Sequence, residues 1–172
     1  MAGRIVLIDA SPVIGLARVD GLPWLGALFG TVWIPPEVRG EVLADKGDAE
    51  ETAIRDAELR GWLRASAQAP TLPELPDLDA GEASCIRLAL AHDGPALLLM
   101  DERAGRAIAQ EHGLSVAGTA AVIGMAKSRQ LIPSARAVFE RLHRSDFRIS
   151  AQVIDTVLRR VGEPPPSRTV CE

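Results

Sequence analysis

Short apolar runs of β-prone residues alternate along this chain with segments of helical hydrophobic spacing, and this alternation restricts the fold more than any other feature. The runs are RIVLI (4–8), TVWI (31–34), ALLLM (96–100) and LSVAG (114–118). Each is followed by a segment with helical periodicity. Strands that alternate with helices predict a parallel sheet covered by helices on both faces. We therefore expect an α/β fold, a three-layer αβα sandwich with a central parallel sheet.

Turn and helix signals place the remaining elements. Ser11-Pro12 is a good helix opening, because serine caps helices well and proline is tolerated in the first turn, and Ser11 is a better cap there than Asp9. Residues 62–69 form a possible strand or extended segment, and three prolines make 70–79 a loop. Helices are predicted over residues 11–17, 22–29, 36–44, 48–61, 81–93, 102–112, 119–130, 134–144 and 150–161.

The length of 172 residues suits one domain with a full core. We expect a single domain over 1–161, with extra C-terminal helices, and a disordered tail over 162–172, which contains three consecutive prolines. No apolar run approaches the roughly 20 residues of a membrane helix, and the opening MAGRIVLID lacks a signal-peptide pattern. Cys85 and Cys171 cannot form a disulfide framework, so we expect free thiols in a reducing cytoplasm, with no membrane association.

The charge is unevenly distributed along the chain. The net charge of −4 argues against general nucleic-acid affinity over the whole surface. Residues 1–100 carry a net −7, however, and residues 101–172 carry +3. The first part can hold cations and the second can hold phosphates, although both can equally be solvated helix faces. With no tyrosine and six Phe and Trp, a base-stacking platform is disfavoured, so any nucleic acid would be held through Arg and Lys.

Four acidic residues occupy positions that suggest a shared site. Asp9 and Asp101 each follow an apolar strand, and they would meet at the carboxyl edge of the sheet if those strands are neighbours. Glu82 opens a helix after the proline-rich loop, and Glu41 lies on the helix after the second strand. Taken singly, each can be a helix cap, a first-turn acid or an ordinary exposed acid.

A shared site would need cations. Like charges about 4 Å apart repel by roughly 4 kcal/mol at an effective dielectric of 20, and hard divalent ions such as Mg²⁺ or Mn²⁺ suit oxygen ligands. Zinc is disfavoured, because His92, His112 and His143 show no ligand spacing and are expected at the surface or at helix ends.

The order and spacing of four short motifs resemble the PIN-domain nucleases, and within them the VapC-like toxins of toxin–antitoxin pairs. The similarity covers about residues 4 to 161. It rests on LIDASPVIGLARVDGLPWLGALFG, IPPEVRGEV, LDAGEASCIRLAL and LLLMDERAGRAIAQEHGLSVAGT, and the late segment LIPSARAVFERLHRSDFRIS resembles one branch of these toxins. The resemblance implies a PIN-like fold and a metal-dependent endoribonuclease with one or two Mg²⁺ or Mn²⁺ ions.

Mapped onto this chain, the family pattern assigns Asp9, Glu41, Glu82 and Asp101 as catalytic residues and metal ligands. Glu37 lies one turn before Glu41 and is its nearest competitor. Ser11, Thr119 and Glu102 are expected to support the metal ligands without binding the ion directly. Separately, the positions of Arg103 and Arg106 after Asp101 favour contacts with RNA phosphates, with exposed helix arginines as the alternative. The resemblance also implies a homodimer and a cognate antitoxin.

Two other classes compete with the nuclease. One is a catalytically silent PIN domain that binds RNA or a protein partner without cleavage. The other is a phosphoryl-transfer enzyme with an aspartate nucleophile, which usually needs an acid two residues after Asp9 and a late lysine. This chain has Ser11 at the first position, and Lys127, its late lysine, has no fitting motif. A pure scaffold leaves the strand-end acids unexplained.

Overall fold

The computed structural model describes residues 3–164, which form an α/β fold with a central parallel sheet flanked by helices. The strands are β1 (Ile5–Ile8), β2 (Val32–Ile34), β3 (Leu63–Ala65), β4 (Ala96–Leu99) and β5 (Ser115–Ala117). The helices are α1 (Ala10–Arg18), α2 (Leu22–Phe29), α3 (Pro36–Val42), α4 (Ala49–Leu59), α5 (Ala80–Ala91), α6 (Arg103–Glu111), α7 (Thr119–Ser128), α8 (Ala135–Arg144) and α9 (Ala151–Arg160). The predicted fold class is confirmed.

The sheet has the strand order β3-β2-β1-β4-β5, and all its pairings are parallel. Strand β1 pairs with β4 along its whole length, from Ile5 opposite Ala96 to Ile8 opposite Leu99. Strands β2 and β3 therefore lie on one side of β1, and β4 and β5 lie on the other side. Helix α1 packs against α3 and α4, and α5 packs against β1, β4 and α6. The carboxyl ends of β1 and β4 form the switch point, where such sheets bind ligands.

The strands form where the sequence is most continuously apolar. Leu7, Ile8, Leu98 and Leu99 are fully buried, as expected for central strands covered on both faces. The apolar run of 96–100 ends with Met100, which is also fully buried and donates its amide to the carbonyl of Ala117. The residues immediately after β1 and β4 are therefore held in register with the sheet.

The start of the first helix differs from the prediction. Helix α1 begins at Ala10, so Asp9 occupies the N-cap position and Ser11 lies inside the first turn. Ser11 is therefore not the cap, and its hydroxyl bonds to a distant side chain instead. The side chain of Asp9 makes no capping hydrogen bond to this helix either. Proline at position 12 is compatible with this shift, because the first turn has no intrahelical acceptors for its amides.

The described chain falls into two compact units, one ending at Thr119 and the other beginning at Ala120. The first contains the sheet. The second has its own apolar residues in the interior, among them Val122, Phe139 and Leu158. The predicted single domain over 1–161 stays a prediction.

Most of the predicted disordered tail, residues 165–172 with Cys171, lies outside the described residues. Within the described part, Cys85 is a buried free thiol, and no helix combines the length and apolar character needed to cross a bilayer.

Candidate active site

Asp9 lies at the switch point, between the end of β1 and the start of α1. Its amide donates to the carbonyl of Leu99, the last residue of β4, over 2.9 Å. Its side chain is buried, with 4% of the residue exposed. The carboxylate is thus fixed at the point where the two central strands end, and burial of a charged group there is unfavourable without compensation.

Burial raises the pKa of Asp9 to about 7 from an ordinary value of 3.8. The amide of Ala10 opposes this shift, while the negative charges of Asp79, Glu82 and Glu41 add to it. Three acids from two other helical segments therefore act on one buried carboxylate. A buried acid with like-charged neighbours is typical of functional sites.

Glu82 is fixed in the first turn of α5 by a capping box. Its amide donates to Oδ1 of Asp79 over 2.8 Å, and its own Oε2 accepts from the amide of Asp79 over 3.2 Å. Burial raises the pKa of Glu82, and the charges of Asp79 and Glu102 raise it further. The capping box orders the start of α5 and at the same time holds a second buried acid near Asp9.

Two glycines allow this close packing. A Cβ on Gly81 would lie 3.1 Å from Oδ1 of Asp9, which places the start of α5 directly against that carboxylate. A Cβ on Gly105 would lie 2.7 Å from Oε1 of Glu82, so α6 approaches Glu82 closely because residue 105 has no side chain.

Asp101 is held by three hydrogen bonds to its carboxylate. Ser11 donates its hydroxyl to Oδ2 over 2.9 Å, and Thr119 donates its hydroxyl to Oδ2 and its amide to Oδ1, each over 2.7 Å. Thr119 is fully buried. A Cβ on Gly118 would lie 2.8 Å from Oδ1 of Asp101. Gly118 and Thr119 therefore pack closely against this carboxylate. The hydrogen bond from Ser11 joins the carboxylate to the first turn of α1.

Glu41 and Glu37 lie one turn apart on α3 and have different surroundings. Glu41 is exposed, and its charge contributes to the raised pKa of Asp9. Glu37 accepts from Nε2 of Gln68 over 2.9 Å, while its Oε2 is buried without a partner. Cys85 is buried, and burial, reinforced by the charges of Asp9, Asp79, Glu37 and Glu82, raises the pKa of its thiol. That thiol is therefore held in its protonated form.

The two candidate arginines differ in their surroundings. Arg106 is half-buried and donates from Nη1 to the carbonyl of Met100 over 3.0 Å. The same Nη1 would lie 3.2 Å from a Cβ on Gly118, so Arg106 lies beside Asp101. Arg103 is the exposed first residue of α6, and Glu102 is the exposed residue before it. Arg106 and Glu102 thus lie at the edge of the site. Arg103 is exposed to solvent at the start of α6.

The chemistry of the donor set fits a hard divalent cation, because it consists of carboxylate oxygens. Within residues 3–164, no Lys or Arg forms an ion pair with Asp9, Glu82 or Asp101. The same residues contain no group of three or more His, Cys, Asp and Glu side chains arranged to hold an ion. An ion here would therefore combine few carboxylates with several waters, which is how Mg²⁺ is commonly held.

Sequence reasoning did not single out Asp79. It caps α5, orients Glu82 and acts electrostatically on Asp9. The signal was present as Asp79-x-x-Glu82, the spacing of a capping box directly before an apolar helix. The environment of Arg106 had no comparable signal, because it depends on the backbone carbonyl of another element.

A parallel sheet whose switch point gathers buried carboxylates defines an α/β protein with an acidic active site. A family model described as a PIN domain matches residues 5–163, which is most of the chain. The chain belongs to the PIN-domain family. PIN domains are generally nucleases and generally use divalent metal ions. Neither the curated proteins nor the solved structures gave a match.

Proposed function

We propose that this chain is a cytoplasmic, Mg²⁺- or Mn²⁺-dependent endoribonuclease that acts as the toxin of a toxin–antitoxin pair. The observation that carries the nuclease is the buried Asp9 at the switch point, which lies near like charges and has no cationic side chain of the described residues paired to it. Such an arrangement is unfavourable for folding and is expected where a site must attract a cation.

Asp9, Glu82, Asp101 and Glu41 would hold one or two ions partly through bound waters, because no three acids of residues 3–164 are arranged around one ion. Bound divalent ions lower the pKa of a water molecule and neutralise charge on the phosphate undergoing cleavage. The chain's own contribution is orientation. Ser11 and Thr119 fix the carboxylate of Asp101, the capping box fixes Glu82, and Glu102 adds negative charge at the edge.

Arg106 and Arg103 would bind phosphates next to the cleaved bond. The guanidinium of Arg106 is anchored by the carbonyl of Met100, beside Asp101, and a guanidinium binds phosphate oxygens in a fixed geometry. Arg103 is exposed one turn earlier on α6 and would make a weaker, more solvated contact.

RNA cleavage tests the enzyme directly. Purified metal-free protein is incubated with total RNA in EDTA, Mg²⁺ or Mn²⁺, beside Asp9→Asn and the exposed control Asp93→Asn. We expect cleavage only with metal, its loss in Asp9→Asn and its retention in Asp93→Asn. Absence of both cleavage and metal binding would favour the alternative, a catalytically silent PIN domain that binds RNA or a protein partner.

The toxin role and the oligomeric state need separate tests. Induced expression in a bacterial host should arrest growth, and Asp9→Asn should not. Normal growth with the active chain would contradict the toxin role. A homodimer should sediment at twice the 18.3 kDa chain mass. The proposed antitoxin should restore growth when it is co-expressed with the chain.

A further inference from the structure

The charges of the chain separate at the boundary between its two compact units. Residues 3–119 carry 18 acidic and ten basic side chains, a net −8, whereas residues 120–164 carry four acidic and eight basic ones, a net +4. RNA is a polyanion, so the unit with the acidic site repels it. A source of positive charge elsewhere in the chain would offset this repulsion.

Helices α8 and α9 of the second unit pack together. Glu163, just after α9, accepts from the amides of Ala135 and Arg136 over 2.6 and 3.1 Å and from the hydroxyl of Ser134 over 3.1 Å. Residues in the last turn of α9 are therefore close to residues in the first turn of α8.

Five basic residues occupy the end of α7, the start of α8 and the end of α9, and we call them the basic end: Lys127, Arg129, Arg136, Arg159 and Arg160. Lys127 donates to the carbonyl of Pro133 over 2.7 Å and lies 3.8 Å from Glu163. Arg129 follows it by two residues, and Arg159 and Arg160 form the exposed last turn of α9.

The positive charge of the basic end is incompletely balanced. Glu163 offsets one charge, and its oxygens already bond to the start of α8. Within residues 3–164, Nε and Nη2 of Arg136 are buried and have no hydrogen-bond partner. Those buried nitrogens are out of reach of an RNA phosphate, whereas the side chains of Arg159 and Arg160 are exposed to it.

We propose that the basic end binds the phosphodiester backbone of RNA. The choice of RNA rests on the proposed function. The scarcity of aromatic residues agrees with backbone contacts rather than base stacking. A competing role for Arg159 and Arg160 is to stabilise the negative end of the α9 dipole, which affects stability and not RNA binding.

Fluorescence anisotropy tests this with the full chain, a labelled 20-nucleotide single-stranded RNA and EDTA, so that cleavage plays no part. The double variant Arg159→Gln/Arg160→Gln is compared with Arg55→Gln/Arg60→Gln, which makes the same charge change on α4 and its C-cap in the acidic unit. We expect about tenfold weaker binding for the first pair, and a slope of log K against log salt concentration that is reduced by about 1.4, which corresponds to two lost phosphate contacts on a single strand. The control pair should change neither, and Arg159→Lys/Arg160→Lys should restore both.

Unchanged affinity and salt dependence in Arg159→Gln/Arg160→Gln would overturn the inference. Equal losses in both pairs would overturn it too, because net charge alone would then explain them. A lower melting temperature with unchanged binding would assign these arginines to helix stability. If the chain binds RNA through the basic end but cleaves none with Mg²⁺ or Mn²⁺, the inference stands and the proposed enzyme fails. If cleavage depends on Asp9 while binding is unchanged in the double variant, the inference alone fails.

Discussion

At the scale of single residues, Asp9 links stability to function. Its carboxylate is buried among acids that repel it, and the fold keeps it there although an uncharged residue would be more favourable. Active sites of this kind lower the stability of the fold in exchange for catalytic activity. The consequence is measurable in the metal-free protein.

Asp9→Asn should stabilise the metal-free protein at pH 8 and much less near pH 4. The pKa of Asp9 is about 7 in the folded state against 3.8 ordinarily. The folded state therefore holds this proton up to about pH 7, and stability falls as pH rises from about 4 to 7. The full penalty is at most about 4 kcal/mol. We expect Asn to recover about 1–3 kcal/mol, because it remains a buried polar group.

Thermal denaturation in EDTA at pH 4.5 and pH 8 checks this, with Asp93→Asn as the exposed control. Equal destabilisation of Asp9→Asn at both pH values would mean that Asp9 supports the fold and is not strained by its neighbours.

Gly118→Ala should reduce nuclease activity without unfolding the protein. The new methyl carbon would lie 2.8 Å from Oδ1 of Asp101 and 3.2 Å from Nη1 of Arg106. It would displace the carboxylate from the amide of Thr119. Loss of such supporting contacts commonly reduces activity or metal affinity about 10- to 100-fold. Cleavage rates with Mn²⁺ measure the effect. Gly40→Ala on α3, whose Cβ would meet open space, is the stability control, and wild-type activity in Gly118→Ala would contradict the described packing.

At the scale of elements, two helices with similar N-terminal caps separate structural from functional effects. Asp79 caps α5 and Asp48 caps α4, each accepting the amide of a glutamate three residues later. Replacing either by alanine should lower stability by about 1 kcal/mol.

Of the two variants, only Asp79→Ala should also lower nuclease activity, because Asp79 orients Glu82 and, unlike Asp48, acts electrostatically on Asp9. Urea unfolding and cleavage assays on both variants test this. Similar activity in the two variants would show that the cap of α5 serves the fold alone.

The elements themselves were largely predictable, since their apolar runs and turn residues are local signals. The runs at 4–8, 31–34, 96–100 and 114–118 contain four strands of the sheet, and the extended segment 62–69 contains the fifth. Contacts between distant residues were not predictable in the same way. The hydrogen bond from Ser11 to Asp101 requires the first turn of α1 to face the end of β4. The sequence prediction made Ser11 the cap of this helix, so it did not indicate that the hydroxyl is available to Asp101.

At the scale of the whole molecule, the chain separates opposite charges between its two units. The sequence indicated this separation, with −7 over residues 1–100 and +3 over residues 101–172. The sequence did not show where the charge separation falls. It also did not show that the residues after α9 lie beside the start of α8. Weak binding of RNA at high salt is expected if the basic unit contributes, because counterion release drives such contacts.

The central claim is that the carboxylates at the switch point bind a divalent ion, and calorimetric titration with Mn²⁺ at pH 8 tests it most directly. We expect wild-type protein and Asp93→Asn to bind Mn²⁺ with similar affinity, and Asp9→Asn to lose this binding. Absence of binding to wild-type protein, or binding that is equal in Asp9→Asn, would contradict the claim.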